Sequence, residues 1–158
     1  MANTQSMCTS FMGELLTATH NFGTAPIRAA TTADTFKAAL YLSSATINAA
    51  TTVYSSTGEV TGTNYTAGGV TVTNGTAPIA TNSSATAGVA YWTPSASFVY
   101  TTVTLSTAFD TVLLYNSTQS NKAVSVHTFG SQTITAGTFT LTMPSNTTTT
   151  ALLRLSTT

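Results

Sequence analysis

A chain of 158 residues with four basic and four acidic side chains and a formal charge of zero is long enough to form one domain, hiding roughly two-thirds of its unfolded surface. Only 5% of its residues are charged, against roughly 25% in an average soluble domain. The surface is therefore hydroxyl and amide, and the clustered basic patch required by nucleic acid or an anionic membrane is excluded.

Cys8 is the single cysteine, so an internal disulfide and a cysteine-based metal cluster are excluded, and it reads as a small residue near a helix start. The start, MANTQSMCTSFMGELL, has no basic residue before Arg28 and no long apolar core, so no secretory signal is expected. No run nears the roughly 18 apolar residues of a membrane span. Synthesis and folding in a cytoplasm follow as the expectation, and the sequons at Asn64, Asn74, Asn82, Asn116 and Asn146 read as loop composition. Zero net charge also removes repulsion between copies, which points to an oligomer or lattice.

Thr9 or Ser10 can cap a helix whose stripe is Phe11, Leu15, Ala18 and Phe22, with Glu14 in its first turn. Gly13 weakens it by about 1 kcal/mol relative to alanine, so it needs a surface to lie on, either its own sheet or a neighbouring subunit. Gly23 and Pro26 end it. Residues 1–33 are expected to form a helix and arm, and 34–158 a single β domain.

DTFKAALYL alternates Phe36, Ala38, Leu40 and Leu42 against Lys37 and Tyr41, and a strand fits it better than a helix. Ser43 to Ser56 has no firm period. Glu59 to Thr73 reads as loop, a Gly68-Gly69 turn, and a strand carrying Val70 and Val72. Asn74 to Thr86, with Gly75, Pro78 and Asn82, carries the strongest loop signal, an excursion placed to touch a partner. Tyr91 and Trp92 are expected in or near loops, Trp92 as a core or interface plug. In FVYTTVTL, Val99, Val103 and Leu105 share a face with Thr101. Phe109 to Met143 reads as short strands separated by turns at Asn116 to Asn121 and at Ala136-Gly137, and ALLRL as a last strand. The fold expected is mainly β, an antiparallel β-sandwich or jelly-roll-like barrel with one short N-terminal helix.

The titratable groups make no catalytic motif. His127, between Val126 and Thr128 on a strand, reads as a hydrogen-bonded structural histidine; His20 sits near the helix end. There is no G-x-S-x-G elbow, no phosphate-binding glycine spacing in GEVTGTNYTAGG and no zinc signature. Asp110 and Glu59 as a carboxylate pair, and Asp34 with Lys37, read as turn or pairing residues. An ice-binding face needs a fixed threonine period that is lacking; glycan binding relies on exposed aromatics, and Tyr54, Tyr65, Tyr91 and Trp92, in or near loops, keep that reading open. No enzyme activity, cofactor or metal is expected.

The blocks CTSFMGELLTATHNFG, DTFKAALYL, TGEVTGTNYTAGGVTV, WTPSASFVYTTVTL, AFDTVLLYN, TITAGTFTLTMP and LLRL resemble, in order and over nearly the whole chain, a family of small structural proteins of tailed bacteriophages and their prophages, cyanophage-like ones included. Among such phages, small β-rich proteins of this size often serve as capsid decoration, or cement, proteins. The resemblance implies a β-sandwich, commonly a homotrimer, on the outer capsid surface of the virion, binding where subunits of the major capsid protein meet and made in the host bacterial cytoplasm. Phe11, Leu15 and Phe22, with the loops around Tyr65 and Trp92, are the expected partner contacts. The alternative is a head-fibre or tail-associated protein that binds a receptor or glycan.

Overall fold

The computed structural model describes residues 3–8, 11, 15, 19–22, 33–81 and 89–156. Eight strands follow in chain order: β1 Ser6–Met7, β2 Phe36–Leu42, β3 Val70–Thr71, β4 Ile79–Ala80, β5 Val89–Trp92, β6 Phe98–Asn116, β7 Lys122–Leu141 and β8 Leu153–Ser156. Two antiparallel sheets result, one ordered β1-β7-β6-β2-β3 and the other β4-β5-β8. The chain is mainly β, as its alternation and turn residues predict.

The expected N-terminal helix is not seen as an element among the described residues. Phe11 and Leu15 stand in helical conformation, while Thr9, Ser10, Gly13, Glu14, Ala18 and the stop residues Gly23 and Pro26 lie outside them. Phe11 and Phe22 are buried in the same core as the sheets.

The sheet is built on one long hairpin of β6 and β7, 19 and 20 residues. Its turn falls where Asn116 to Asn121 predicts it, with Ser120 and Asn121 at φ 53° and 58°, the left-handed region that asparagine tolerates better than most residues. The second predicted turn, at Ala136-Gly137, is absent. Strand β7 runs through it, and Ala136 (φ 45°) marks a bulge where three β7 steps oppose two of β6, between Leu105↔Ile134 and Val103↔Gly137. A single left-handed residue can bulge a strand without reversing it. A second bulge, at Thr102 (φ 52°) on β6, corrects the expected face. Phe98 and Tyr100 are buried before it, Val103 and Leu105 after it, and Val99 is exposed. One inserted residue exchanges the faces of everything that follows.

Strand β2 pairs with β6 from Phe36↔Asn116 to Leu42↔Phe109. It is covered on both faces: Phe36, Ala38 and Leu40 are buried as expected, and so are Ala39 and Tyr41. The loop from Ser43 to Gly69 crosses the Tyr41 face, with Tyr54 stacked on Tyr115 at 4.6 Å. Its closure depends on Gly69, at φ 73°, where a Cβ would lie 1.7 Å from the Ala38 carbonyl oxygen. Only glycine combines that φ with that approach.

Across the Phe36 face lies an aromatic cluster. Phe22 stacks on Phe36 at 4.4 Å and meets Trp92 of β5 at 4.7 Å, which anchors the small sheet to the large one. The predicted excursion at Asn74 to Thr86 is corrected as far as it is described. Ile79 and Ala80 pair with β5, and Thr76 is tied back to the chain by its hydroxyl, which donates to Thr93, and its carbonyl, which accepts from Trp92 Nε1 at 3.0 Å. Residues 82–86 lie outside the described set.

Candidate functional site

The packing of the N-terminal segment against the small sheet leaves a cavity of about 210 Å³. In the register of β5 and β8, Ala90 pairs with Leu155 and Trp92 with Leu153, so these four share one face. Phe11, Leu15 and Phe22 close the cavity from the other side. Four of the five expected contact residues, Phe11, Leu15, Phe22 and Trp92, thus line one apolar hollow. Phe11 and Trp92 are each only 2% exposed, and their rings face inward. Trp92 stands in a strand rather than a loop.

Tyr65 lies elsewhere. Its hydroxyl donates to Glu59 Oε1 at 2.7 Å and accepts the Leu40 amide at 3.0 Å. Tyr54 Oη donates to Glu59 Oε2 at 2.6 Å, and the Gly68 amide to Oε1 at 2.7 Å. The buried carboxylate is met by three donors, which is what a buried charge requires. Burial and the neighbouring Glu59 charge push Tyr41, Tyr54, Tyr65 and Tyr100 well above the ordinary phenol range and Tyr115 up to about 12. Tyr54 and Tyr65 thus hold a loop to the sheet.

A second polar centre lies under the β6–β7 turn. Asn116 Oδ1 accepts the Thr118 and Gln119 amides, both at 3.1 Å, which fixes the orientation of its amide. Its Nδ2 therefore donates, to Asp34 Oδ2 at 2.8 Å, and lies 3.1 Å from His20 Nδ1. The ring nitrogen accepts, so the proton of the neutral ring is on Nε2. Asp34 also receives the Asn21 amide at 2.9 Å and Gln119 Nε2 at 3.0 Å. Asp34 and Lys37 are not joined as a pair by any described contact. Asp110 instead accepts Asn3 Nδ2 at 2.8 Å and the Thr111 hydroxyl at 2.7 Å.

His127 is the remaining titratable group of interest, and Ser125 Oγ lies 2.8 Å from its Nε2. Burial pushes its imidazole down to about 4, from an ordinary value near 6.5. The unfolded chain takes up a proton as pH falls through about 6.5, while the folded chain does so only near 4. Stability is full above the first value and is lost as pH falls between them. Because the ring is half-buried, about 1–2 kcal/mol is expected. Thermal midpoints at pH 7.5 and 4.5 should differ less for His127→Gln than for the native chain; an identical difference would contradict this role.

Among the described residues no group of three or more His, Cys, Asp or Glu is placed to hold a metal ion, and no helix is long and apolar enough to cross a membrane. Compared with protein-family models, curated proteins and solved structures, the chain matches none. No motif in the sequence points to the roles of Glu59, Asp34 and Asn116. One signal was present: Glu59 is the only charged residue between Lys37 and Asp110, and a lone charge in a long neutral stretch, flanked by two tyrosines, has donors to hand.

Proposed function

We propose that this chain is a non-enzymatic capsid decoration protein of a tailed bacteriophage, which binds the outer surface of the head and adds buried interface between major capsid subunits. The ordered block resemblance over nearly the whole sequence carries the reading. The hydroxyl-rich, almost uncharged exterior supports it, since such a surface docks by shape and hydrogen bonding and stays indifferent to the packaged nucleic acid. The polar centres around Glu59 and Asp34 are saturated by donors from their own fold, in keeping with a scaffold. In this reading the two sheets, joined through Trp92 and Phe36, are the layers of a sandwich, and each copy touches several capsid subunits, which raises the effective concentration for its second contact.

The test is addition of the purified protein to undecorated heads. Saturable binding near capsomer junctions and greater resistance of the heads to heat or chelators are expected. Failure to bind heads, together with binding to host cells or glycans, would replace this reading with that of a head-fibre or tail-associated receptor-binding protein.

A further inference from the structure

We propose that the outer edge of β7 over Gly137–Leu141 is a homotypic docking edge, on which the same five residues of a second copy of this chain pair antiparallel across a two-fold axis. Among the described residues, the outer edge of β7 is paired only over Lys122 to Val126, by β1 at Ser125 and Val126, by Cys8 at Val124, and by Thr52 and Val53 at Ala123 and Lys122. Beyond them Gly130, Ser131, Gln132, Thr133, Thr138 and Thr140 are exposed. A row of outward N–H and C=O groups is matched fully only by another extended backbone.

Natural edges are defended by charge, proline or bulges. From Thr128 to Leu141 there is no charged residue and no proline. Bulges do protect the earlier part, because β7 carries extra residues between Thr128 and Gln132 and again between Ile134 and Gly137. From Gly137 onward the extra residue belongs to β6, at Thr102, so β7 itself stays regular. The five residues Gly137, Thr138, Phe139, Thr140 and Leu141 are left as a regular, uncharged, undefended edge.

The occupant follows from the same residues. A strand meeting itself antiparallel about Phe139 sets Thr138 opposite Thr140 twice, a cross-strand pair that stabilises a ladder. Phe139 and Leu141, half-buried on the inner face, gain cover from the mate strand. Such an edge is self-complementary under a two-fold axis. It offers no charge by which a charged foreign strand would be selected, and the zero formal charge of the chain lets two copies approach without net repulsion. This inference is independent of the phage reading, and the even-numbered assembly it gives differs from the trimer that the resemblance implies.

Sedimentation across a concentration series, with amide exchange followed on the same samples, tests it. The native chain should form a dimer that dissociates on dilution, and the amides of residues 138–141 should exchange more slowly as concentration rises. The double variant Thr138→Lys, Thr140→Lys places like charges opposite one another and should weaken the dimer at least tenfold. Exchange in the native chain needs no variant, so misfolding of the lysine form leaves the test intact. A monomer at every concentration, a trimer, exchange at 138–141 that ignores concentration, or a dimer that survives both lysines in a folded variant would overturn the proposal.

Discussion

Replacing Glu59 with alanine is expected to lower the free energy of unfolding by about 3–4 kcal/mol. The carboxylate accepts from Tyr54 Oη, Tyr65 Oη and the Gly68 amide, and Glu59 is itself buried. Its removal leaves the Gly68 N–H and the Tyr65 O–H without an acceptor, and a buried unmatched donor costs about 1–3 kcal/mol. Tyr65 Oη cannot turn to another role freely, because it already accepts the Leu40 amide. Glutamine is expected to cost less, about 1–2 kcal/mol, since its carbonyl still accepts and only its NH2 group faces a donor. Urea unfolding with an unchanged slope and a lowered midpoint checks both. A Glu59→Ala midpoint equal to the native one would mean that the loop is held by its apolar contacts alone. Alkali supplies a companion test, because the raised tyrosines keep their protons in the fold. Stability is full below about pH 10, the ordinary phenol value, and is lost as pH rises above it, so the phenolate absorbance of these rings should appear together with unfolding.

The second large effect is expected at Asn116, which is fully buried. Asn116→Asp keeps the oxygen that accepts the Thr118 and Gln119 amides but replaces the Nδ2 donor, 2.8 Å from Asp34 Oδ2, with a second carboxylate oxygen. Two carboxylates at that separation cannot both remain ionised in a buried site, so one of them is held protonated well above the usual range. At pH 7 the variant should lose about 3–5 kcal/mol. The sign of its pH dependence is diagnostic. Its raised carboxyl contributes stability that is present at low pH and lost as pH rises, so the deficit should shrink below about pH 5. Native Asn116 has no such titration. A deficit that stays constant from pH 7 to pH 4 would show that the loss comes from packing rather than from the paired charges.

The sheet was legible wherever alternation was uninterrupted. Phe36 to Leu42, the turn at Asn116 to Asn121 and the final strand at Leu153 all follow from period and turn residues. What misled was positive φ at ordinary residues. Thr102 and Ala136 give no compositional sign of left-handed backbone, so the first reverses a predicted face, and the second, beside Gly137, predicts a turn where the strand continues. Phe11, Leu15, Phe22 and Trp92 were legible as large apolar residues with a surface to find. That they meet around one cavity depends on the packing of Phe22 against Trp92 of β5 at 4.7 Å, a contact between distant parts of the chain that local pattern cannot supply. The polar centre at Asp34 and Asn116 was hidden for the same reason. Asp34 and Asn116 are joined by the β2–β6 register, Phe36↔Asn116, and neither residue is unusual until that register is known.

Electron microscopy of virions carrying a label on this protein tests the central claim most directly. Label distributed over the head shell at the junctions between capsomers is the predicted result. Label confined to the tail, the neck or fibres projecting from the head would contradict it.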